Sequence, residues 1–467
     1  MAQLMVVLDA TIVNIALPSA QADLGFSDGD RQWVVTGYSL AFGSLLLLGG
    51  RIADLFGRKV TFLTGLVGFA AASALGGAAP GFELLIVARA LQGVFGALLA
   101  PAALSLLTTT FTEPKERAKA FSVFGAIAGA GGAIGLLLGG LLTEYLTWRW
   151  TLYVNVAFAI VAFVGAFLLL SRTGRDRDVV LDVPGTILVS AGLFSVVFGF
   201  SNAESRAWSS PFTWGFLAAG VVLLVAFVWW QTRARHPLLP LRILTDRNRG
   251  ASFVSILLIG AGMFGVFLFL TYYMQQILGL TPVWTGVAFL PMVAGIMTGT
   301  IVANNVLLPR IGPKPVVPAG MALAAIGLLW MTTLELHSAY LTHVLPQLVI
   351  TGLGMGLVMA TSMNLAVSGI GPHDAGVASA AVNTMQQIGG SIGTALLTTI
   401  ATSASTGYLT GRNVNDPAVL ARASLESYSA AYTWTAVIFI VGLVVSVLLY
   451  RRGVPRQDTE SGPAIHM

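Results

Sequence analysis

Cysteine is absent from the 467 residues, and only 10% of them carry charge. The first absence excludes disulfides, iron–sulfur clusters and thiol catalysis, and it leaves redox chemistry silent about the compartment. The second excludes an ordinary soluble domain, where about a quarter of residues are charged. Histidine is nearly as scarce. His236, His337, His343 and His373 fall at segment ends or in loops and His466 in the tail, so the sequence holds no metal-ligand cluster. A Gly-x-x-x-x-Gly-Lys-Ser/Thr loop is missing too, which leaves nucleotide drive unsupported. What fills the chain is apolar: hydrophobic residues make up 56% and the mean hydropathy is +0.82, the composition of an all-α polytopic membrane protein.

A membrane-crossing helix needs about 20 mostly apolar residues. The sequence offers fourteen such stretches, near 2–18, 32–50, 60–79, 83–108, 120–142, 151–170, 183–202, 212–230, 251–273, 284–305, 315–334, 342–366, 376–402 and 429–450. An even number puts both termini on one side of the membrane. With that side as the cytoplasm, 19 of the 25 Lys and Arg fall on the inner side and only Arg31, Arg149, Arg206, Arg412 and Arg422 in outer loops. This asymmetry predicts cytoplasmic termini. The net charge of +5 is then an inner-loop property, and no nucleic-acid partner is expected.

The first span begins almost at Met1 with no basic flank, so a trimmed native amino terminus is expected rather than a signal peptide. Residues 231–249 carry His236-Pro237-Leu238-Leu239-Pro240-Leu241 among basic neighbours and read as an interfacial linker. Residues 403–428 form the longest outer loop, in which Asp416-Pro417 fits the cap and first turn of a short helix. The halves also repeat. Leu24-Gly25-Phe26-Ser27 matches Leu278-Gly279-Leu280-Thr281, and Gly57-Arg58-Lys59 matches Gly312-Pro313-Lys314. Pro114 and Glu116 match Pro372 and Asp374, and Gly131-Gly132-Ala133-Ile134-Gly135 matches Gly389-Gly390-Ser391-Ile392-Gly393. The nearly constant offset predicts parallel repeats of six helices with two inserted between them, an arrangement that builds secondary transporters. The expected division is an N-terminal six-helix bundle (1–171), two inserted linker helices (172–231), a cytoplasmic interfacial linker (232–250), a C-terminal six-helix bundle (251–451) and a cytoplasmic tail (452–467).

Against this apolar background Asp9 and Arg89 stand inside spans. A charge at membrane depth costs at least about 2.5 kcal/mol, so one that persists there usually lines a pathway or relays a proton. Each has a plainer alternative: Arg89 lies near the outer end of its span and could reach the headgroups, and Asp9 could be a buried structural hydrogen-bonder. Arg89, Gln92, Gly93, Gly96 and Ala100 recur on one helical face. Gly125, Gly129, Gly132, Gly135 and Gly139 form a stripe on the fifth span, and Gly376, Ser379, Asn383, Gln387 and Gly390 one on the thirteenth, both suited to close packing. The segment Gly50-Arg51-Ile52-Ala53-Asp54-Leu55-Phe56-Gly57-Arg58-Lys59 joins spans two and three; an ordinary basic turn explains Gly57 and the cations but not Asp54.

Taken together, these motifs resemble those of the major facilitator superfamily, specifically its fourteen-helix drug:proton antiporter family of the bacterial multidrug efflux type. Leu8-Asp9-Ala10-Thr11-Ile12-Val13-Asn14-Ile15-Ala16-Leu17-Pro18 resembles the first-helix signature and residues 50–59 the loop motif. Arg89-Ala90-Leu91-Gln92-Gly93 resembles the fourth-helix motif, and the stripe from Gly125 to Gly140 the fifth-helix antiporter motif. The chain departs from the pattern at Leu136, where a proline is usual, and at Leu55, where an arginine is common. No acidic residue lies deep in a later span, which argues against dicationic cargo.

The resemblance implies the major facilitator fold, a bacterial plasma membrane location and export by alternating access, driven by a proton gradient without a cofactor. Asp9 would exchange the proton, with Arg89 altering its proton affinity as their separation changes. Gly50, Asp54, Gly57, Arg58, Lys59 and Arg117 would form the conformational latch. Candidate substrate contacts are Tyr38, Gln92, Tyr272, Gln276, Asn383 and Gln387 amid apolar walls, which suit lipophilic small molecules. The expected partners are such a substrate, protons and lipids, around a monomer. Rival readings are an exporter of an endogenous lipid or metabolite and a non-transporting sensor or scaffold. An enzyme is not expected, because no nucleophile–base arrangement is present.

Overall fold

The computed structural model describes residues 1–453 other than 28, 112, 171–181, 207–209, 236 and 371–374. Side chains at 54, 108, 109, 114, 115, 117–119, 121–126, 128–130, 201, 203–206, 375 and 376 also lie outside the description. The long elements are all helical: α1 (Ala2–Leu24), α2 (Arg31–Phe56), α3 (Arg58–Gly77), α4 (Phe82–Thr110), α5 (Pro114–Tyr145), α6 (Trp150–Leu169) and α7 (Val183–Arg206). They continue with α8 (Pro211–Gln231), α9 (Arg247–Tyr272), α10 (Pro282–Val302), α11 (Pro313–Met331), α12 (Leu345–Val367), α13 (Ala375–Leu409) and α14 (Pro417–Leu449).

Among the described residues twelve of these helices are long and apolar enough to cross a membrane. Of the other two, α13 (35 residues) is diluted by glycine, serine, threonine and glutamine, and α5 (32 residues) has much of its first half outside the described side chains. Fourteen long helices are present, as many as the expected spans.

The expected long outer loop is mostly helix instead. α13 continues to Leu409 and α14 begins at Pro417, so no separate short helix forms. The hydroxyls that make these stretches look loop-like bond back to their own helices, Ser403 to the Thr399 carbonyl (2.8 Å) and Ser424 to that of Leu420 (3.1 Å). Asp416 does cap: its Oδ1 accepts from the Ala418 N–H at 2.9 Å, with Pro417 in the first turn of α14.

Packing repeats along the chain. α2 and α3 both pack on α4, α1 packs on α5 and α6, and α3 on α6. Eight helices later α10 and α11 pack on α12, α9 on α13 and α14, and α11 on α14. The sequence matches have a conformational basis: Gly25 and Gly279 (φ +70° and +66°) and Gly57 and Gly312 (φ +95° and +72°) take backbone conformations that favour glycine. The Pro372 and Asp374 matches lie outside the described residues.

The two sets of six meet along two seams, α2 with α13 and α5 with α10. At the second, a Cβ on Gly140 would fall 2.6 Å from the Pro282 carbonyl and one on Gly286 2.5 Å from that of Leu136, so the backbones touch. At the first, a Cβ on Gly43 would lie 3.3 Å from Gln387 and Ile388. Counting away from that contact along the antiparallel pair, Ser39 and Thr36 come level with Ser391 and Thr394. All four side chains are fully buried, and their hydroxyls have no hydrogen-bond partner. Outside this seam lies α7, which packs on α8 as well as on α2 and α13, with the Ser190 hydroxyl donating to the Ser44 carbonyl at 2.7 Å.

Candidate functional site

The face of α4 that carries Arg89, Gln92 and Gly93 turns toward α2. A Cβ on Gly93 would overlap the Tyr38 carbonyl, so glycine lets the helices close. That closeness holds Arg89 from above and below. Its Nε donates to the Val34 carbonyl (3.0 Å), and its guanidinium carbon lies 4.7 Å from the centre of the Tyr38 ring. One Nη1 then serves two acceptors, Asp9 Oδ2 at 2.7 Å and Gln92 Oε1 at 2.8 Å. Asp9 is fully buried on α1 and Arg89 nearly so. The snorkelling alternative for Arg89 therefore fails: its charge is spent inside the protein.

The second carboxylate oxygen of Asp9 accepts from two amides, Gln92 Nε2 (3.0 Å) and Asn155 Nδ2 on α6 (2.8 Å). Ser73 on α3 completes the network. Its hydroxyl oxygen accepts from both amides at 3.0 Å and its hydrogen goes to the Leu152 carbonyl at 2.8 Å. Five helices thus converge on one carboxylate. Thr11 and Asn14 do not join them; they bond to carbonyls of α1 itself. Beside Arg89 lies a narrow apolar cavity bordered by Val13, Ala16, Leu17, Val34, Leu85 and Trp148, whose free volume of ≈ 10 Å³ is about one water position.

Asn155 and Ser73 are the members that the sequence reading does not pick out. A signal existed for Asn155, a lone amide in an otherwise strongly apolar helix. For Ser73 none did, since buried serines commonly bond within their own helix.

At the end opposite the termini the two sets of six are tied together. The Tyr272 hydroxyl donates to Gln21 Oε1 (2.5 Å), Gln275 Nε2 to the Ile15 carbonyl (3.0 Å) and the Val283 N–H to Glu144 Oε2 (3.0 Å). Arg31 stacks on Tyr272, 4.3 Å from its ring centre. A π-turn over Tyr273–Ile277 extends α9 here and carries Gln275 and Gln276; π-turns often mark functional sites.

At the termini end Arg51 donates to the Pro237 carbonyl (3.3 Å), and Lys59 donates to the carbonyls of Phe167 (2.9 Å) and Leu170 at the close of α6, where a cation is favoured. Gly50 faces Pro101 on α4 and Gly57 forms the turn into α3, which opens at Arg58. The side chains of Asp54 and Arg117, together with Gly125 and Gly129, lie outside the described residues. Pro237 belongs to a linker organised by Asp182, whose carboxylate accepts from Trp230 Nε1 (2.7 Å), Gln231 Nε2 (2.7 Å) and the N–H groups of Gly185 (2.9 Å) and Leu238 (3.3 Å). Burial pushes the Asp182 carboxyl up, but these four donors outweigh it and hold it below the usual carboxylate range. Leu238, Leu239 and Ile243 of the linker are buried in protein.

The remaining candidates are dispersed. Gly135 and Gly139 meet Thr11 and Ile12 of α1, while a Cβ on Gly132 would meet nothing within 4 Å. Tyr38 and Gln92 belong to the Asp9 network, and Tyr272 is in the tie to Gln21. Gln276 accepts from the Tyr428 hydroxyl at 2.9 Å. Asn383 bonds to the Ser379 carbonyl of its own helix (3.0 Å), and the Gln387 carbonyl oxygen is buried without a partner.

The description of the Major Facilitator Superfamily matches residues 1–394. Puromycin resistance protein pur8 of Streptomyces alboniger is 49% identical, over 98% of this chain and 92% of its own length. Cephamycin export protein CmcT of Amycolatopsis lactamdurans is 38% identical, over 96% and 90%. Multidrug transporter protein MdtP of Bacillus subtilis (strain 168) is 32% identical, over 87% and 75%. In fold, the chain is similar to the POT family transporter PepTSo, with a TM-score of 0.69 at 16% identity over 95% of this chain and 96% of that one. A bacterial homologue of the human lysosomal transporter Spinster gives 0.64 at 16% identity over 96% and 95%. With its repeated packing and its buried charges shared between helices, the chain belongs to the Major Facilitator Superfamily.

Proposed function

We propose that the protein exports lipophilic small molecules, antibiotics among them, in exchange for protons, and that Asp9 is the group that takes up and releases the proton. The observation that carries this reading is the fully buried Asp9 carboxylate held by Arg89, Gln92 and Asn155. A buried ion pair contributes little to stability compared with apolar packing, and its best-attested use is in specifying or switching a structure. Protonating Asp9 would cancel the pair and leave Arg89 with the Val34 carbonyl, Gln92 and the Tyr38 ring. The grip of α1 on α4 then changes with the proton. One proton crossing inward releases about 2.3 kcal/mol per 100 mV, enough for roughly fiftyfold accumulation at about 1.4 kcal/mol per decade.

The rest of the reading follows the same lines. All fourteen long helices cross a bacterial plasma membrane as two bundles of six with α7 and α8 inserted, in a monomer with cytoplasmic termini, as the distribution of Lys and Arg supports. Asp54, with Arg58, Lys59 and Arg117, latches the termini end, and Tyr272, Gln276, Asn383 and Gln387 border the substrate path. The drug class is supported by the names of the three relatives. The test uses purified protein in liposomes with an imposed pH gradient and puromycin, cephamycin and a panel of lipophilic dyes as cargo. Asp9→Asn should abolish uphill transport and keep downhill exchange of neutral cargo; uphill transport at the wild-type rate would make Asp9 structural.

A further inference from the structure

An ionised carboxylate accepts hydrogen bonds only, whereas a protonated one must also donate. Among the described residues every hydrogen bond to Asp9 comes from a donor: Arg89 on one oxygen, Gln92 and Asn155 on the other. The site is therefore completed for the charged form. The neutral form needs an acceptor within the same dry space, because a buried O–H without one costs about 1–3 kcal/mol.

The two amides on Oδ1 differ in their ability to supply it. The carbonyl oxygen of Gln92 is held by Arg89 Nη1 at 2.8 Å, so turning that amide would break a charge-assisted bond. The carbonyl oxygen of Asn155 is buried with no hydrogen-bond partner, although its residue is 0% exposed. Tyr38 also has an unpaired buried hydroxyl, but it meets the site through its ring, on the Arg89 guanidinium. The charged and titratable groups seen around Asp9 among the described residues are Arg89 from α4 and Tyr38 from α2. α3 and α6 present neutral Ser73 and Asn155, and α5 presents Gly131, Gly135 and Gly139 to α1.

We infer that Asn155 is a positioning residue that follows the proton on Asp9 by turning its side-chain amide end for end. In the charged state its NH2 faces Asp9 Oδ1, as in this structure. When Oδ1 gains a proton, the amide rotates by half a turn about its last bond, its free oxygen accepts the new O–H, and its NH2 occupies the place the oxygen leaves. No heavy atom outside the amide has to move. Ser73 opposes the turn, because its oxygen accepts from Asn155 Nδ2 at 3.0 Å while its hydrogen is committed to Leu152. This inference rests on the reading of Asp9 as the proton site.

The test is an infrared titration of the purified protein in lipid vesicles, following the protonated-carboxyl band that Asp9→Asn removes. Ser73→Ala releases the amide and should raise the midpoint of that band by about 0.5–1 pH unit, the equivalent of one ordinary hydrogen bond. In an Asn155→Leu background the same change should move the midpoint by less than half as much. Equal shifts in both backgrounds would overturn the role of Asn155 while leaving Asp9 as the proton site. If no carboxyl band is lost in Asp9→Asn, the proton-site reading itself falls, and this inference with it. A second measurement needs no change at Asn155: with 13C-labelled asparagine, one asparagine carbonyl band should shift at the carboxyl midpoint and stop shifting in Asp9→Asn. An asparagine spectrum independent of pH in the wild type would sink the idea even if Asn155→Leu failed to fold.

Discussion

Arg89 is anchored to Val34 as well as paired with Asp9: its Nε donates to the α2 carbonyl at 3.0 Å while Nη1 reaches the carboxylate at 2.7 Å. One guanidinium therefore ties α4 to α2 and to α1 at once. A lysine could hold the carboxylate but has no second donor partway along its stem for Val34.

Arg89→Lys should consequently keep the fold and lose most uphill transport. Arg89→Ala should do more, because it strands a buried carboxylate; a loss of about 3–5 kcal/mol in unfolding free energy is expected. Transport in liposomes and chemical unfolding in detergent separate the two effects. Wild-type transport by Arg89→Lys would show that the Val34 tie is idle.

Close approach at the α5–α10 seam depends on Gly140 and Gly286. Adding a methyl at Gly140 places it 2.6 Å from the Pro282 carbonyl, against backbone that cannot swing aside. Gly140→Ala should therefore wedge the end opposite the termini apart. Spin labels on Tyr145→Cys and Trp284→Cys, both exposed positions, should report a longer distance in the Gly140→Ala background, and an unchanged distance distribution would refute the wedge.

The carboxyl of Asp182 is held below its ordinary value of 3.8 by its four donors. A depressed folded-state value means that its contribution to stability is complete above about pH 4 and fades as the pH falls through the folded value. Thermal unfolding of the wild type should thus weaken below pH 4 more steeply than that of Asp182→Asn, which has no proton to gain. Parallel curves for the two proteins would remove Asp182 as the linker's organiser.

Orientation is open to direct labelling, since the chain has no cysteine to remove. Val414→Cys, in the exposed turn between α13 and α14, should react with an impermeant thiol reagent from outside intact cells. Arg452→Cys should react only once the membrane is opened. The reverse pattern would invert the assigned topology.

Much of this architecture was legible in the residues because membrane burial writes itself in composition. Asp9, Arg89 and Gln92 stood out for the cost of placing such groups in apolar helices, and the glycine turns at 57 and 312 for a backbone conformation few residues accept. The ends of α13 and α14 were not legible, because serines and threonines bonded to their own helices look like loop. Asn155 was harder still. Its role depends on α6 crossing near α1, a tertiary fact that no spacing within one helix encodes. The same holds for Asp182, whose partners are Trp230, Gln231 and the backbone around Leu238.

The buried hydroxyls of Thr36, Ser39, Ser391 and Thr394 make the α2–α13 seam a poorly glued joint. Each forgoes a hydrogen bond that water would readily supply, at about 1–3 kcal/mol apiece. α7 packs on both helices of this seam; if the two sides part, as the proposed export by alternating access requires, water entering from the membrane surfaces would supply those bonds. Wetting would then offset part of the adhesion lost, and the joint would behave less like a weld than like a zip that opens more easily the further it has opened.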